Sequence, residues 1–349
     1  MHFTKTLDDV RDQVETDDRE KRDYRVRCED VTFEQGRLTA PLIETDVSEG
    51  GLSLTSVALS QVCRKLGLPA SYMAKCPPKL LDANLNHWLE QSRIGHRLSA
   101  ADSDPDAAWL VRSRGTKARG VLSDRYGRLD NRQVMDALLP LVNGGAYGVG
   151  LVQLTDESFH LRLVQPNIYR DVLPNDRLCV GIHVSNSEIG LRACTVDALV
   201  YRVICSNGLI RKVNSRSLLR QRHFFVSPER FAALLDEALR EAVVVAAGFL
   251  EQMALGVRTP VPDPIHAVTV LGEAWNLTQT VREQVLFALH GEAAPDTAYG
   301  LVNAFTEVAQ RLPGEGRFEL EASAAVLIDT ASGSPTDAAL RRRALGMAA

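Results

Sequence analysis

Residues 177–205 read RLCVGIHVSNSEIGLRACTVDALVYRVIC, two runs of alternating, β-branched-rich residues around the turn signal of residues 185–190. Alternation with period two describes a half-buried strand, and two such runs joined by Asn, Ser and Gly describe an antiparallel hairpin. This long hairpin excludes an all-helical fold and predicts a central antiparallel sheet. The chain then turns basic. Between Ala198 and Pro228 stand Arg202, Arg211, Lys212, Arg216, Arg220 and Arg222, with neither Asp nor Glu, a formal charge of +6 in a chain whose net charge is only −4. Packing alone gives no reason to gather one sign of charge in sequence, whereas a polyanion partner does.

The rest of the charge is just as uneven. Residues 1–23 carry −3 and residues 229–339 carry −10. Residues 109–132 carry +5, from Arg112, Arg114, Lys117, Arg119, Arg125, Arg128 and Arg132 against Asp124 and Asp130. A basic middle between two acidic ends is the pattern that an overall charge near zero conceals.

Around the hairpin the chain divides into four parts. Residues 1–100 predict a helical and hairpin region: a charged helix over 1–23, a hairpin about Gly36, and helices over 53–66, near 69–76 and from Pro77. Residues 107–226 predict a central antiparallel β domain. Its first hairpin turns at residues 114–117, a helix follows over 131–142, and strands flank residues 156–158. Residues 227–330 predict a helical region, opened by Ser227 as N-cap and Pro228 in the first turn. Residues 331–349 predict a flexible tail. The fold class is therefore α+β. At 349 residues, the chain is long enough to bury a substantial core.

The charged N-terminus is unlike a secretory signal, and the longest apolar run, residues 242–250, is about half of what spans a bilayer. The expected location is cytoplasmic, with no membrane contact. Cys28, Cys63, Cys76, Cys179, Cys194 and Cys205 show no metal-ligand spacing and are expected to be reduced thiols.

Enzymatic motifs are poor: no GxSxG, HExxH, P-loop or GxGxxG occurs. Asp124, Asp130, Glu188 and Asp197 are the carboxylates a metal-dependent nuclease or nucleotide-processing enzyme would draw on. His183, Ser185 and Glu188 lie on or beside one turn, which is read as structural. Residues 59–75 carry a helix-turn-helix-like spacing, the basis for an alternative reading as a DNA-binding regulator. No cofactor, metal or catalytic residue is expected. The expected nucleic-acid contacts are Arg112, Arg119 and Arg125 on one wall and Arg202, Arg211, Lys212, Arg216, Arg220 and Arg222 on the other. Phe224, beside His223 and Phe225, is the candidate for stacking on bases.

Three motifs in order, GVLSDRYGRLDN, GGAYG and VSNSEIGLRACTVDALVYRVICSNGL, resemble the phage- and plasmid-associated family known as domain of unknown function 932. The resemblance runs over residues 109–223. It implies a mobile-element setting and an α+β domain on a strongly curved antiparallel sheet. That architecture is similar to single-strand annealing proteins, which bind single-stranded DNA in a basic groove and form rings or filaments. The function expected on this basis is single-stranded DNA binding, with strand annealing in recombination as a homo-oligomer. The apolar helix over 231–255 and the long hairpins offer surface for self-association.

Overall fold

A computed structural model describes residues 5–47, 50–93, 108–144, 147–203, 207–212, 216–328 and 335–347. The protein is α+β, as expected, but its strands form two sheets. The first part contains α1 (Leu7–Arg19), β1 (Lys21–Arg27), β2 (Thr32–Glu34), β3 (Arg37–Thr39), α2 (Pro41–Glu44) and β4 (Leu52–Leu54). It continues through α3 (Ser56–Leu66), α4 (Ala70–Met73), α5 (Pro78–Arg93), β5 (Ala108–Arg114) and β6 (Lys117–Ser123). The sheet order is β1-β5-β6-β4-β3-β2, with β4 parallel to β6 and the other pairs antiparallel. Val62, Leu66 and Leu85 from the helices meet Phe33, Val111 and Val121 from the strands in its core.

The β5–β6 hairpin, expected to open the central domain, thus pairs with strands of the N-terminal region. Its neighbour β1 is invisible to alternation arguments because KRDYRVR reads as a charged segment. Only Lys21, Tyr24 and Val26 of that strand are buried. The expected linker at 99–106 lies outside the described residues.

The second sheet follows α6 (Asn131–Val142). It is built from β7 (Gly148–Leu154), β8 (Phe159–Leu173), β9 (Asp176–Asn186), β10 (Cys194–Arg202), β11 (Asn207–Arg211) and β12 (Leu219–Gln221). Its order is β11-β10-β9-β8-β7, antiparallel throughout, with β12 also paired to β10. The sheet curls into a half-barrel. Alternation sorts its side chains onto two faces. Phe159, Leu161, Ile182, Val184, Val196 and Ala198 form the apolar face. The register Arg162–His183–Asp197, and beside it His160–Ser185–Thr195, forms a polar face.

The apolar face is covered by α7 (Pro228–Gly256), which buries Phe231, Leu235, Ala238, Ala242 and Ala246. Its start is as the sequence specifies: Ser227 Oγ accepts from the Arg230 N–H and Pro228 takes the first turn. Beyond it come α8 (Pro264–Ala274), α9 (Gln279–His290), α10 (Ala298–Ala309), α11 (Gly316–Ala324) and α12 (Pro335–Ala344). The helix α11 lies on the polar face, where Phe318 stacks on His160 at 3.8 Å between ring centres. The expected flexible tail is, over its described residues, the helix α12 followed by buried Leu345, which together with Ala344 joins the main core. Among the described residues no helix is long and apolar enough to cross a membrane.

Candidate nucleic-acid interface

A cleft of about 460 Å³ opens where three segments meet. The end of β6 and the loop after it supply Ser123, Arg125 and Tyr126. The β9–β10 turn supplies Gly190, Leu191, Arg192 and Ala193. The end of β12 and the residues after it supply Arg220, Arg222, His223 and Phe224. Local bonds lock these segments together. The Gly127 N–H donates to the His223 carbonyl at 2.9 Å. The Tyr126 ring stacks on His223 with 5.0 Å between centres and 14° between planes. The Tyr126 hydroxyl donates to the Glu188 carbonyl at 3.0 Å, and His223 Nε2 bonds the Arg192 carbonyl at 2.9 Å. Gly127 permits this close approach, because an added Cβ would clash with the Phe224 carbonyl carbon and lie 2.5 Å from Phe225 N.

The cleft is cationic on both sides. Arg125 from the first basic region faces Arg220 and Arg222 from the second. All three are exposed, and no carboxylate of the described residues pairs with them. Phe224 is 64% exposed and Phe225 90%. Aromatic rings left in water beside unpaired arginines are the combination that nucleic-acid bases and phosphates satisfy.

The other expected contacts lie elsewhere. Arg112 is buried and ion-paired to Asp23 at 2.9 Å and Asp130 at 2.6 Å. Arg119 is buried against Glu188 at 3.0 Å. Arg202 is clamped by Asp176 at 2.6 Å and Glu292 at 2.8 Å. Arg211 is buried over the Phe249 ring, 4.9 Å from its centre. These four cations are inside the fold rather than on a groove wall. Lys212 and Arg216 are exposed, but neither lines this cleft. The +5 and +6 segments therefore do have a packing reason in part: their partners are acids distant in sequence, which a local charge count cannot see.

Glu188, expected to belong to a structural turn, is the centre of a buried charge cluster. It accepts from Lys21 at 2.8 Å, Arg119 at 3.0 Å and the Asn131 backbone N–H at 3.0 Å. Burial opposes its charge, but these partners outweigh burial and hold its carboxyl at about 2. Asp130 starts α6 in a capping box with Gln133 while pairing with Arg112. Asp124 lies in the turn after β6, its carbonyl accepting from Arg25 at 2.9 Å. Asp124, Asp130, Glu188 and Asp197 are thus spread over separate settings. Among the described residues no three His, Cys, Asp or Glu side chains are placed to hold a metal ion. The second helix of the expected helix-turn-helix, α4, is a four-residue turn. Cys28, Cys63, Cys76, Cys179 and Cys194 are free thiols, and Cys205 lies outside the described residues.

The polar sheet face escaped sequence reasoning. His160 Nε2 meets Glu315 Oε1 at 2.9 Å, and His160 Nδ1 meets His183 Nε2 at 3.1 Å. Burial lowers both imidazoles, His183 strongly, with the neighbouring ring and Arg162 acting the same way on it. Glu315 also pairs with Arg192, and Glu321 with fully buried Arg162. Burial raises Asp197, against hydrogen bonds from Ser217 and Thr195 and the charge of Lys212. The available signal was the alternation itself: in 160–162, 183–185 and 195–197 two polar residues flank one apolar residue.

A family model described as Domain of unknown function (DUF932) matches residues 118–314, more than half of the chain. The chain belongs to this family. The DUF932 match begins inside β6 and runs past α10, so it takes in the helical region after Pro228, beyond the stretch whose motifs carried the resemblance. Every wall of the cleft, and the half-barrel behind it, falls inside the DUF932 region. Neither the curated proteins nor the solved structures yield a match.

Proposed function

We propose that this DUF932 protein binds single-stranded DNA in the cleft between the β6–α6 loop and the segment after β12. Arg125, Arg220 and Arg222 hold successive phosphates, and Phe224 stacks on a base. The supporting observation is that two regions nearly a hundred residues apart in sequence bring these arginines to one cleft without carboxylate partners. A strand with splayed bases suits a cleft that offers aromatic rings. In a duplex the bases are stacked and out of reach of Phe224. The wider role we assign is strand annealing in recombination of a mobile element, carried out in the cytoplasm by a homo-oligomer.

The experiment is fluorescence anisotropy with labelled single-stranded and duplex oligonucleotides over a salt series. Counterion release gives a log–log slope of about −0.7 per phosphate contact on a single strand. Replacing Arg125, Arg220 and Arg222 together by Ala flattens that slope by roughly 2. A wild-type protein that binds no single strand, or a triple variant with an unchanged slope, overturns the reading.

A further inference from the structure

Beside the cleft lies a second hollow of about 290 Å³, sharing Leu191, Arg192, Ala193 and Arg220 with it. Its floor is the polar sheet face, with His183 and Asp197 directly opposite in register. Phe318, Glu319 and Ala322 of α11 form the roof, and Arg192, Lys212 and Arg220 stand at the rim.

With His160 neutral, as its burial favours, the hydrogen bonds set the proton positions on this floor. Glu315 as a carboxylate can only accept, so His160 Nε2 carries the proton of a neutral ring. His160 Nδ1 is then an acceptor, so His183 Nε2 donates to it. His183 Nδ1 is left as a bare acceptor, and among the described residues it has no hydrogen-bond partner. Among the same residues Asp197 Oδ1 has none either, the Thr195 hydroxyl donating to Oδ2. Two buried acceptors on adjacent strands therefore lack donors, an arrangement that folded proteins rarely leave unfilled.

The complement is a group with two neighbouring N–H donors. Arg192 at the rim is paired with Glu315, but Lys212 and Arg220 have no ion pair among the described residues, so a group that brings these donors together with an anion suits the hollow better than a free ammonium or guanidinium. Among nucleotides, guanine alone offers two adjacent donors, N1–H and N2–H, on its pairing edge. Adenine, cytosine and thymine each place an acceptor there. We infer that this hollow binds one guanine nucleotide, its base edge on Asp197 and His183 and its phosphate on Arg220 and Lys212. His183 Nδ1 and Asp197 Oδ1 are closed to water in this conformation, so engagement includes a small outward shift of α11. The nucleotide is a residue of the strand held in the cleft, in which case the inference rests on the proposed strand binding, or a free mononucleotide.

Two arms separate these sources. In the first, a thymidine oligonucleotide is compared with the same strand carrying one deoxyguanosine, and with one carrying an abasic site there. A single guanine is expected to tighten binding about tenfold, in the range of a good bidentate base contact. In the second, calorimetry measures deoxyguanosine and thymidine monophosphates. Asp197→Asn, which turns an acceptor into a donor, and Ala322→Leu, which fills the hollow from its roof, are each expected to erase the guanine preference and leave the salt slope for thymidine strands unchanged. If wild type binds strands with no guanine preference and no guanine mononucleotide, the inference fails while strand binding stands. The inference fails in the same way if the preference survives both variants. If no strand binds but the guanine mononucleotide does, and Ala322→Leu abolishes it, the hollow is a free-nucleotide site and only the strand reading fails. If neither binds, both fail.

Discussion

Arg119 Nη2 lies 3.0 Å from Glu188 Oε2, and both side chains are 2% exposed. This pair joins the first sheet to the β9–β10 turn of the second. Lys21, just after α1, shares the same carboxylate oxygen at 2.8 Å. The Asn131 N–H at the start of α6 takes the other. One carboxylate thus ties four elements together, and its loss strands buried Arg119 and leaves Lys21 with Asp17 alone.

Glu188→Gln is therefore expected to destabilise the protein by about 3–5 kcal/mol, the usual cost of breaking a buried pair from one side. Chemical denaturation with a circular-dichroism readout measures it. A loss below about 1 kcal/mol would mean that Lys21 and Arg119 find other partners.

The same group sets an acid limit. Its carboxyl is held at about 2, below the usual 4.5. A depressed carboxyl contributes stability that is complete above its unfolded value and lost as pH falls through its folded value. The contribution is roughly 3 kcal/mol, lost between pH 4.5 and about 2. Denaturant midpoints followed through that window should fall more steeply in wild type than in Glu188→Gln. Parallel curves would show that other carboxyls carry the acid transition.

Much of this fold can be read from the chain, and the reasons for the exceptions are physical. The hairpin of residues 177–202 and the cap at Ser227 are local signals, and both stand where expected. The split into two sheets is not local: β5 pairs with β1, about ninety residues earlier in sequence. Charge fails for a similar reason. Arg112, Arg119 and Arg202 look like phosphate ligands until Asp23, Glu188 and Glu292 arrive from afar. Arg125, Arg220 and Arg222 are legible because no acid of the described residues folds onto them. Arg192 is hidden because its charge sits before the acid-free stretch begins.

Gly127→Ala tests how tightly the cleft is built. The new methyl would meet backbone at Phe224 and Phe225, which cannot rotate away as a side-chain tip can. The segment carrying Phe224 must move, and the bond from the Gly127 N–H to the His223 carbonyl lengthens or breaks. The expected cost is about 1–3 kcal/mol of stability. Weaker single-strand binding should accompany it. Unchanged binding and stability would place the 224–225 backbone farther from this loop.

Arg112 and Arg222 differ in setting, and substitution should expose the difference. Arg112→Ala leaves Asp130 without its cation and Asp23 with only the exposed Arg128, so stability falls by about 3 kcal/mol. The salt slope of binding, read on the fraction still folded, stays as in wild type. Arg222→Ala should do the reverse, with stability within about 0.5 kcal/mol of wild type. Its slope is shallower by about 0.7. A change of slope in Arg112→Ala would place that side chain on the binding surface after all.

Phe224 separates stacking from charge. Its ring is mostly exposed beside Arg222 and contributes little to the core, so Phe224→Ala should barely move the denaturation midpoint. If the ring carries a base, affinity for single strands falls by about 1–3 kcal/mol. Because no ion is released at a stacked base, that loss is the same at every salt concentration and the slope is kept. Phe224→Trp, with a larger face, should restore or exceed wild-type affinity. Phe225→Ala serves as the comparison, since Phe225 is still more exposed yet does not line the cleft. Its loss is expected to be smaller. Equal losses from both rings would assign the contact to the whole exposed segment. No loss from either would leave the arginines as the cleft's only hold on a strand, and would remove the reason for it to prefer single strands over duplex.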